Sequence, residues 1–136
     1  MVNQSKKTKI AAPAQKIFDY IGNFNNFGEL LPDQVEDWRS TEKECFFKIK
    51  GLTEMGLLMK EKTPHSKIII GNHPDVSLPL SFTLSIDLQS ISENETETQV
   101  TMNTDVNPMM GMMLKKPLET FVNTLAEKLK EKMEIQ

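Results

Sequence analysis

The sequence predicts an α+β fold in which one long C-terminal helix packs across a curved antiparallel sheet. Two observations predict it. Between residues 35 and 106, apolar and polar residues alternate with a period of two, and from Asn107 onward apolar residues recur at helical spacing. The 136 residues, 38% of them hydrophobic, suffice for one sizeable core, so we expect a single domain over residues 1–136.

The N-terminal segment predicts a short strand over residues 5–10 and then two short helices. Pro13 suits the first turn of a helix, because its missing N–H would be unpaired there anyway. The apolar residues of this helix are Ile17, Tyr20, Ile21 and Phe24. Gly22 and the asparagines of "GNFNNF" should end it, and a second short helix carrying Phe27, Leu30 and Leu31 should end at Pro32.

The middle of the chain predicts an antiparallel meander, which gives a sheet of about six to seven strands. Its strand-like runs are "VEDWRS", "CFFKIK", "GLLMKEK", "SKIIIG", "LSFTLSIDLQSI" and "ETQVTMNTDV". Residues that share one face are Cys45, Phe47 and Ile49, then Leu57 and Met59, then Phe82, Leu84, Ile86 and Leu88. In the longest run the opposite face carries Ser81, Thr83, Ser85 and Asp87. One side of the sheet should therefore be dry and need a cover.

The C-terminal segment supplies that cover. Asn107 followed by Pro108 is a favourable N-cap and first-turn pair. An apolar stripe at helical spacing follows: Leu114, Leu118, Phe121, Val122, Leu125 and Leu129. The glutamates and lysines of "AEKLKEKMEIQ" occupy the other face. The pattern indicates a helix with an apolar inner face and a polar outer face.

Methionines cluster at the start of this helix, in "NPMMGMMLKKPLETF". At about 100° per residue, Met110 joins the inner stripe, whereas Met109, Met112 and Met113 point toward the polar side of a straight helix. Pro117 removes one backbone hydrogen bond and favours a kink, which would tip these side chains over the end of the sheet. Four interpretations stay open: packing against neighbouring loops, a portal to a ligand cavity, a copper site, and a contact between two copies in a homodimer.

The order of these elements resembles the helix-grip fold of the START-like superfamily, which includes pollen-allergen-like and polyketide cyclase/dehydrase-like proteins. The segments that carry the resemblance are "IAAPAQKIFDYIGNF", with its alanine-proline step into the first helix, and "NPMMGMMLKKPLETFVNTLAEKLK" as the closing helix. It covers essentially the whole chain. The resemblance implies a cavity between the sheet and the long helix that binds an apolar small molecule, such as a lipid or a polycyclic metabolite.

The resemblance also implies which residues line such a cavity: Trp38, Phe47, Leu57, Met59, Phe82, Leu84, Met102, Met110, Met113, Leu114 and Phe121. The simpler alternative for each is an ordinary core residue, since the sheet and the helix must bury these side chains with or without a ligand. Trp38 could stack on a ring of the ligand or donate its N–H, whereas a single tryptophan at such a position is more often a plug in the core or a lid over the strand.

Residues that could support catalysis or bind a metal are sparse. Glu61 shares the face of Leu57 and Met59 but lies near a strand end, and Arg39 adjoins Trp38. His65 and His73 would lie about 26 Å apart along one strand, which is too far for a shared metal ion. Cys45 alternates with buried positions and fits a small buried hydrophobe. We find no catalytic, metal-binding or phosphate-binding motif and therefore expect no cofactor.

Charge and composition limit the classes of binding partner that we expect. The net charge is −3, and no concentrated basic face is visible, so a nucleic-acid partner is not expected. The lysines of the first residues are not followed by an apolar run, so we expect neither a secretory signal nor a membrane span. We therefore expect a cytoplasmic location. Binding of an apolar small molecule is the leading hypothesis. The alternatives are a cyclase/dehydrase-like enzyme and a protein-binding module that docks on a larger assembly.

Overall fold

The computed structural model describes residues 1–31, 33, 35–49, 54–76 and 81–135. Its strands are β1 (Val2–Gln4), β2 (Thr8–Ile10), β3 (Val35–Ser40), β4 (Glu44–Ile49), β5 (Glu54–Thr63), β6 (Lys67–Asn72), β7 (Ser81–Ser92) and β8 (Glu95–Asp105). Its helices are α1 (Ala14–Ile21), a short 3₁₀ helix (Phe24–Glu29) and α2 (Pro108–Ile135). Pro32, predicted to end the second short helix, lies outside the described residues, as does the side chain of Ile49.

The strands form one eight-stranded antiparallel sheet in the order β1-β8-β7-β6-β5-β4-β3, and β2 also pairs with β8. The predicted meander is confirmed as β3 to β8. The N-terminus differs from the prediction, because two short strands replace the single strand expected over residues 5–10. Between them the backbone N–H of Ser5 donates to the Val100 carbonyl at 2.8 Å, so this break still bonds to β8.

The predicted dry side of the sheet is the core. In β7, buried residues alternate with more exposed ones, as the period of two requires. The buried members are Phe82, Leu84, Ile86 and Leu88. Antiparallel pairing places Leu84 opposite Met102 and Ile86 opposite Val100, so β8 continues the same apolar face.

The two short helices cover one end of this face. Pro13 precedes α1 as predicted, and the N–H of Gly22 donates to the Phe18 carbonyl at 2.9 Å where α1 ends. The Asn23 side chain then accepts from the N–H of Asn25, also at 2.9 Å, and so caps the 3₁₀ helix. Phe24, Phe27 and Leu30 are all buried against the sheet.

An irregularity in β3 positions the only tryptophan of the sequence. The pairing with β4 shifts between Glu36 and Arg39, and Asp37 has a φ of 54°. Two residues therefore oppose Phe47, as in a β-bulge. Trp38 stacks on Phe47 with ring centroids 5.6 Å apart, and its indole also lies against Gly28.

Helix α2 starts with the predicted cap. Asn107 accepts the N–H of Met110 on its side chain and the N–H of Gly111 on its carbonyl, both at 2.9 Å. The helical backbone continues through Pro117 to Ile135. Among the described residues, no helix combines the length and apolarity needed to cross a bilayer.

The two halves of α2 are packed differently. We call residues 108–121 the first half and residues 122–135 the second half. The buried residues of α2 all lie in the second half: Val122, Leu125, Ala126, Leu129 and Met133. The second half is also fastened by polar contacts, including Lys128 to the Leu31 carbonyl at 2.8 Å and Lys132 to Glu29 at 3.0 Å.

Candidate functional site

Half-buried apolar side chains of β3, β5 and the first half of α2 pack against the core. We call this set the rim, and its members are Val35, Trp38, Met55, Met59, Leu118 and Phe121. Met55 pairs with Phe47, and Val35 pairs with Ile49, so both lie toward the end of the sheet from which α2 starts. The rim marks the part of the core that the fold leaves partly open to solvent.

On the sheet side, the predicted site residues lie on the inner face beneath or beside the rim. Phe47, Leu57, Phe82, Leu84 and Met102 are buried. Trp38 and Met59 are half-buried members of the rim. These side chains therefore share one continuous apolar face, although most of them are covered by protein in this structure.

On the helix side, the predicted residues divide by exposure. Met110, Leu114 and Phe121 are half-buried, and Phe121 packs against the core. Met109, Met112 and Met113 are 76%, 84% and 73% exposed, which follows the angular count for a straight helix. Met113 thus lies beside the site on the solvent side of α2, and its role in binding stays a prediction.

Two surface depressions mark the described part of the chain. One, of about 420 Å³, lies at the sheet end nearest the start of α2 and is lined by Met1, Ser81, Phe82, Thr83, Asn103, Thr104 and Asp105. The other, of about 220 Å³, lies between the Ser66 turn and the Lys7 segment. Neither of these two depressions is lined by a residue of α2.

Polar side chains occupy the inner face near β1 and β2, and the sequence reasoning missed them. Thr96, Thr98 and Thr104 of β8 are buried, together with Asn3 and Ser5. Asn3 was missed because it precedes the strand predicted over residues 5–10. The only available signal was the alternation of Asn3 and Ser5, which resembles a solvent-facing pattern rather than an inner one.

A buried histidine, His73, lies on the outer face of the sheet. His73 packs beside Phe46, with ring centroids 4.8 Å apart. It also lies close to Gly56, because a Cβ added to that glycine would meet the His73 side chain. Its Nδ1 accepts the N–H of Asp75 at 3.0 Å, so Nε2 carries the proton and donates to the Glu44 carboxylate. Both ring nitrogens are engaged, which suits a structural clasp better than a general base.

Cys45 is buried on the inner face. Burial is the main cause that raises the pKa of its thiol to about 12, and the nearby Glu44 charge acts in the same direction. The thiol therefore stays protonated near neutral pH and is a poor nucleophile. His65 and His73 flank β6 at opposite ends, and among the described residues no three His, Cys, Asp or Glu side chains come together as a metal site.

Comparisons with solved structures identify the fold. The NMR structure of the KanY protein matches with a TM-score of 0.75 at 12% identity, covering 98% of this chain and 97% of that one. A START superfamily protein from Mycobacterium smegmatis matches with a TM-score of 0.71 at 13% identity, with the same coverage. A conserved protein from Geobacillus kaustophilus also gives a TM-score of 0.71, at 10% identity over 97% of this chain and 93% of that one.

No family model and no curated protein matches the sequence. The structural matches nevertheless span nearly the whole chain, including both short helices and α2. The predicted α+β architecture and its likeness to the START-like helix-grip fold are therefore confirmed.

Proposed function

We propose that this protein binds an apolar or amphipathic small molecule between the first half of α2 and the inner face of the sheet. The observation that carries the proposal is the rim, six apolar side chains that pack against the core and stay only half-buried. A core that served only for folding would gain free energy by burying these side chains completely. A ligand that covers them recovers that energy.

The size of the rim bounds the kind of ligand. Full burial of a large apolar side chain is worth about 1.5–3 kcal/mol, so finishing the burial of four rim residues contributes about 4 kcal/mol. That alone corresponds to a dissociation constant of about 1 mM. Micromolar binding therefore requires the ligand to add its own apolar area, which suits several fused rings or a long alkyl chain.

The residues of the first half of α2 also favour its mobility. Pro117 has no N–H to donate to the Met113 carbonyl, and Gly111 adds backbone freedom one and a half turns earlier. Hydrogen bonds and ion pairs from α2 to other elements involve Asn123 and later residues in the described structure. Outward motion of the first half would therefore break few contacts while it uncovers Phe82 and Met102.

The proposal is tested with the protein purified from cells, by native mass spectrometry and by titration with the neutral fluorophore N-phenyl-1-naphthylamine. A bound organic molecule, or saturable fluorescence enhancement, is expected. Met110→Glu should weaken fluorophore binding about tenfold or more, because it places a charge on the inward, half-buried side of α2.

Met112→Glu is the matched control, since the same change occurs two residues away on a largely exposed side chain. It should leave binding nearly unchanged. Met113→Glu then tests whether that residue belongs to the site. Absence of both a copurified molecule and fluorophore binding would contradict the proposal, as would equal effects of the changes at Met110 and Met112.

Docking on a protein partner is a second candidate function, favoured by one observation. Met109, Met112 and Met113 form an exposed apolar surface on the outer side of the first half of α2. If this surface binds a partner, Met112→Glu should abolish capture of that partner and leave fluorophore binding intact. The described inner face offers no observation that favours a cyclase/dehydrase-like enzyme, because its buried polar groups are hydroxyls and one amide.

A further inference from the structure

Asn3 holds an unusual position for a side-chain amide. It pairs with Met102 across β1 and β8, and opposite residues of an antiparallel pair share a face. Its side chain therefore lies on the inner face, and the residue is only 3% exposed. Within the described structure its Nδ2 is buried and has no hydrogen-bond acceptor.

The neighbouring buried polar groups are all satisfied. Ser5 Oγ donates to the Lys6 carbonyl at 3.0 Å and accepts the N–H of Val100 at 2.9 Å. Thr96 Oγ1 donates to the Ala12 carbonyl at 2.8 Å, and the hydroxyl of Thr98 donates to the Thr8 carbonyl at 3.3 Å. The fold thus provides partners for the hydroxyls of this face and leaves the amide of Asn3 without one.

An unpaired buried amide is costly, because it loses its hydrogen bonds to water and gains none in return. A leucine at this position would avoid the cost. Such a group in a folded protein calls for a specific explanation, such as a ligand or a water that is bound there.

The position of Asn3 connects it to the proposed site. A Cβ on Gly111 would lie 3.8 Å from the Met1 sulfur, and the N–H of Lys6 donates to Asn123 Oδ1 at 3.3 Å. Helix α2 therefore runs alongside residues 1–6, and Asn3 lies next to the stretch between Gly111 and Asn123, most of which is the first half. This is the segment whose outward motion would admit the ligand.

We infer that Asn3 is a specificity-determining residue that donates a hydrogen bond from Nδ2 to an oxygen of the bound molecule. The inference rests on the proposed function and deepens it, since it adds one polar contact to an apolar site. A single fixed donor in an apolar surrounding orients the ligand as well as binding it.

The surroundings of Asn3 define the class of that oxygen. A buried carboxylate would need a cation or several donors to offset its lost hydration. The buried polar residues of the described inner face are uncharged, and Nδ2 is the donor left free among them. The ligand is therefore an apolar molecule with a neutral acceptor oxygen, such as a ketone, an ester carbonyl or a hydroxyl.

The test uses two probes of nearly equal shape, 2-acetylnaphthalene, which has a carbonyl acceptor, and 2-ethylnaphthalene, which has none. Their dissociation constants are measured on the full chain and on Asn3→Leu. The ratio of the constant for the ethyl probe to that for the acetyl probe should fall about tenfold in the variant, the size of one buried hydrogen bond. The unliganded variant should also melt a few degrees higher, because the unpaired amide is gone.

Asn103→Leu is the matched control, since it makes the same change on an exposed residue of the neighbouring strand. It should leave the ratio unchanged. If the Asn3→Leu variant does not fold, Asn3→Ala is used to repeat the test.

An unchanged ratio in the Asn3 variants would overturn the inference while leaving the proposed function intact, provided that both probes bind. A crystal structure of the acetyl-probe complex in which the amide of Asn3 binds only water would overturn it too. Failure of both probes to bind the wild-type protein would instead contradict the proposed function itself.

Discussion

The two halves of α2 have equal length and belong to one continuous helix, yet they interact with the rest of the molecule in different ways. The second half buries Val122, Leu125 and Leu129 and is tied to the N-terminal elements by Lys128 and Lys132. The first half presents half-buried residues inward and exposed methionines outward. The second half is firmly packed onto the rest of the fold, and the first half is packed less completely.

This division has a physical consequence. Proteins open locally at the segments that bury the least apolar surface, at a free energy well below that of global unfolding. Residues 108–121 meet that condition, because their apolar contacts are incomplete and the described hydrogen bonds from α2 to other elements begin at Asn123. The ligand that we propose to bind under the first half would therefore enter without unfolding the domain.

The largest expected effect comes from removing one leucine from each half. Leu129→Ala should lower the free energy of unfolding by about 3 kcal/mol, because a completely buried side chain leaves a cavity. Leu114→Ala should lower it by about 1 kcal/mol or less, since that side chain is half-buried and its site can refill with solvent. Urea denaturation of both variants provides the measurement.

The order of the two effects should be reversed for the binding of N-phenyl-1-naphthylamine. Under conditions where both variants are folded, Leu114→Ala should weaken binding, and Leu129→Ala should leave it nearly unchanged. Equal losses of stability would show that the halves are packed alike and would remove the basis for the comparison.

Much of the fold was predictable because its signals are periodic. The alternation in "SFTLSIDLQSI" specifies which side of β7 is buried, and Asn107 with Pro108 specifies where α2 begins. The break between β1 and β2 was not predictable. Two strands of three residues each carry too few residues for a period, and their pairing with β8 spans nearly the whole chain.

The candidate site was harder to predict than the fold. Periodicity identified Phe82 and Leu84 as inner residues, but it could not distinguish a residue under protein from one at an opening. Half-burial of Leu118 depends on how closely α2 approaches the sheet, which is a tertiary property. The buried amide of Asn3 could not be predicted for a related reason. Asparagine at an alternating position of a strand ordinarily indicates the solvent-exposed face of the sheet.

A smaller effect should come from stiffening the first half. A Cβ at Gly111 would lie 3.6 Å from Val106 Cγ2, an ordinary van der Waals contact, so alanine fits there without strain. Gly111→Ala should raise the free energy of unfolding by about 0.5–1 kcal/mol, because alanine loses less backbone freedom on folding. Hydrogen exchange at the amides of residues 112–121 should slow, and ligand uptake should slow with it.

Pro117→Ala provides a second, independent test of the same idea, because it restores an N–H donor to the Met113 carbonyl. It should likewise protect the first half from exchange while leaving the second half unchanged. Faster exchange in either variant would mean that Gly111 and Pro117 do not determine the mobility of this segment.

The smallest expected effect concerns a polar contact of the second half and depends on pH. Glu134 accepts from Lys130 Nζ at 2.6 Å and from the N–H of Ala11 at 2.9 Å, and these two contacts, Lys130 foremost, lower the pKa of its carboxyl group. A carboxyl group with a lower pKa in the folded state contributes stability that is present above its unfolded pKa and lost as the pH falls through the folded value. Glu134→Gln should therefore melt slightly below the wild type at pH 7, and the difference should shrink below about pH 4.3, where an unperturbed glutamate takes up its proton. Glu127→Gln, at an exposed position of the same helix, gives the baseline for losing one negative charge. The difference in melting temperature between Glu134→Gln and the wild type could instead stay constant from pH 7 to pH 3. That result would show that the charge of this carboxylate does not stabilise the second half.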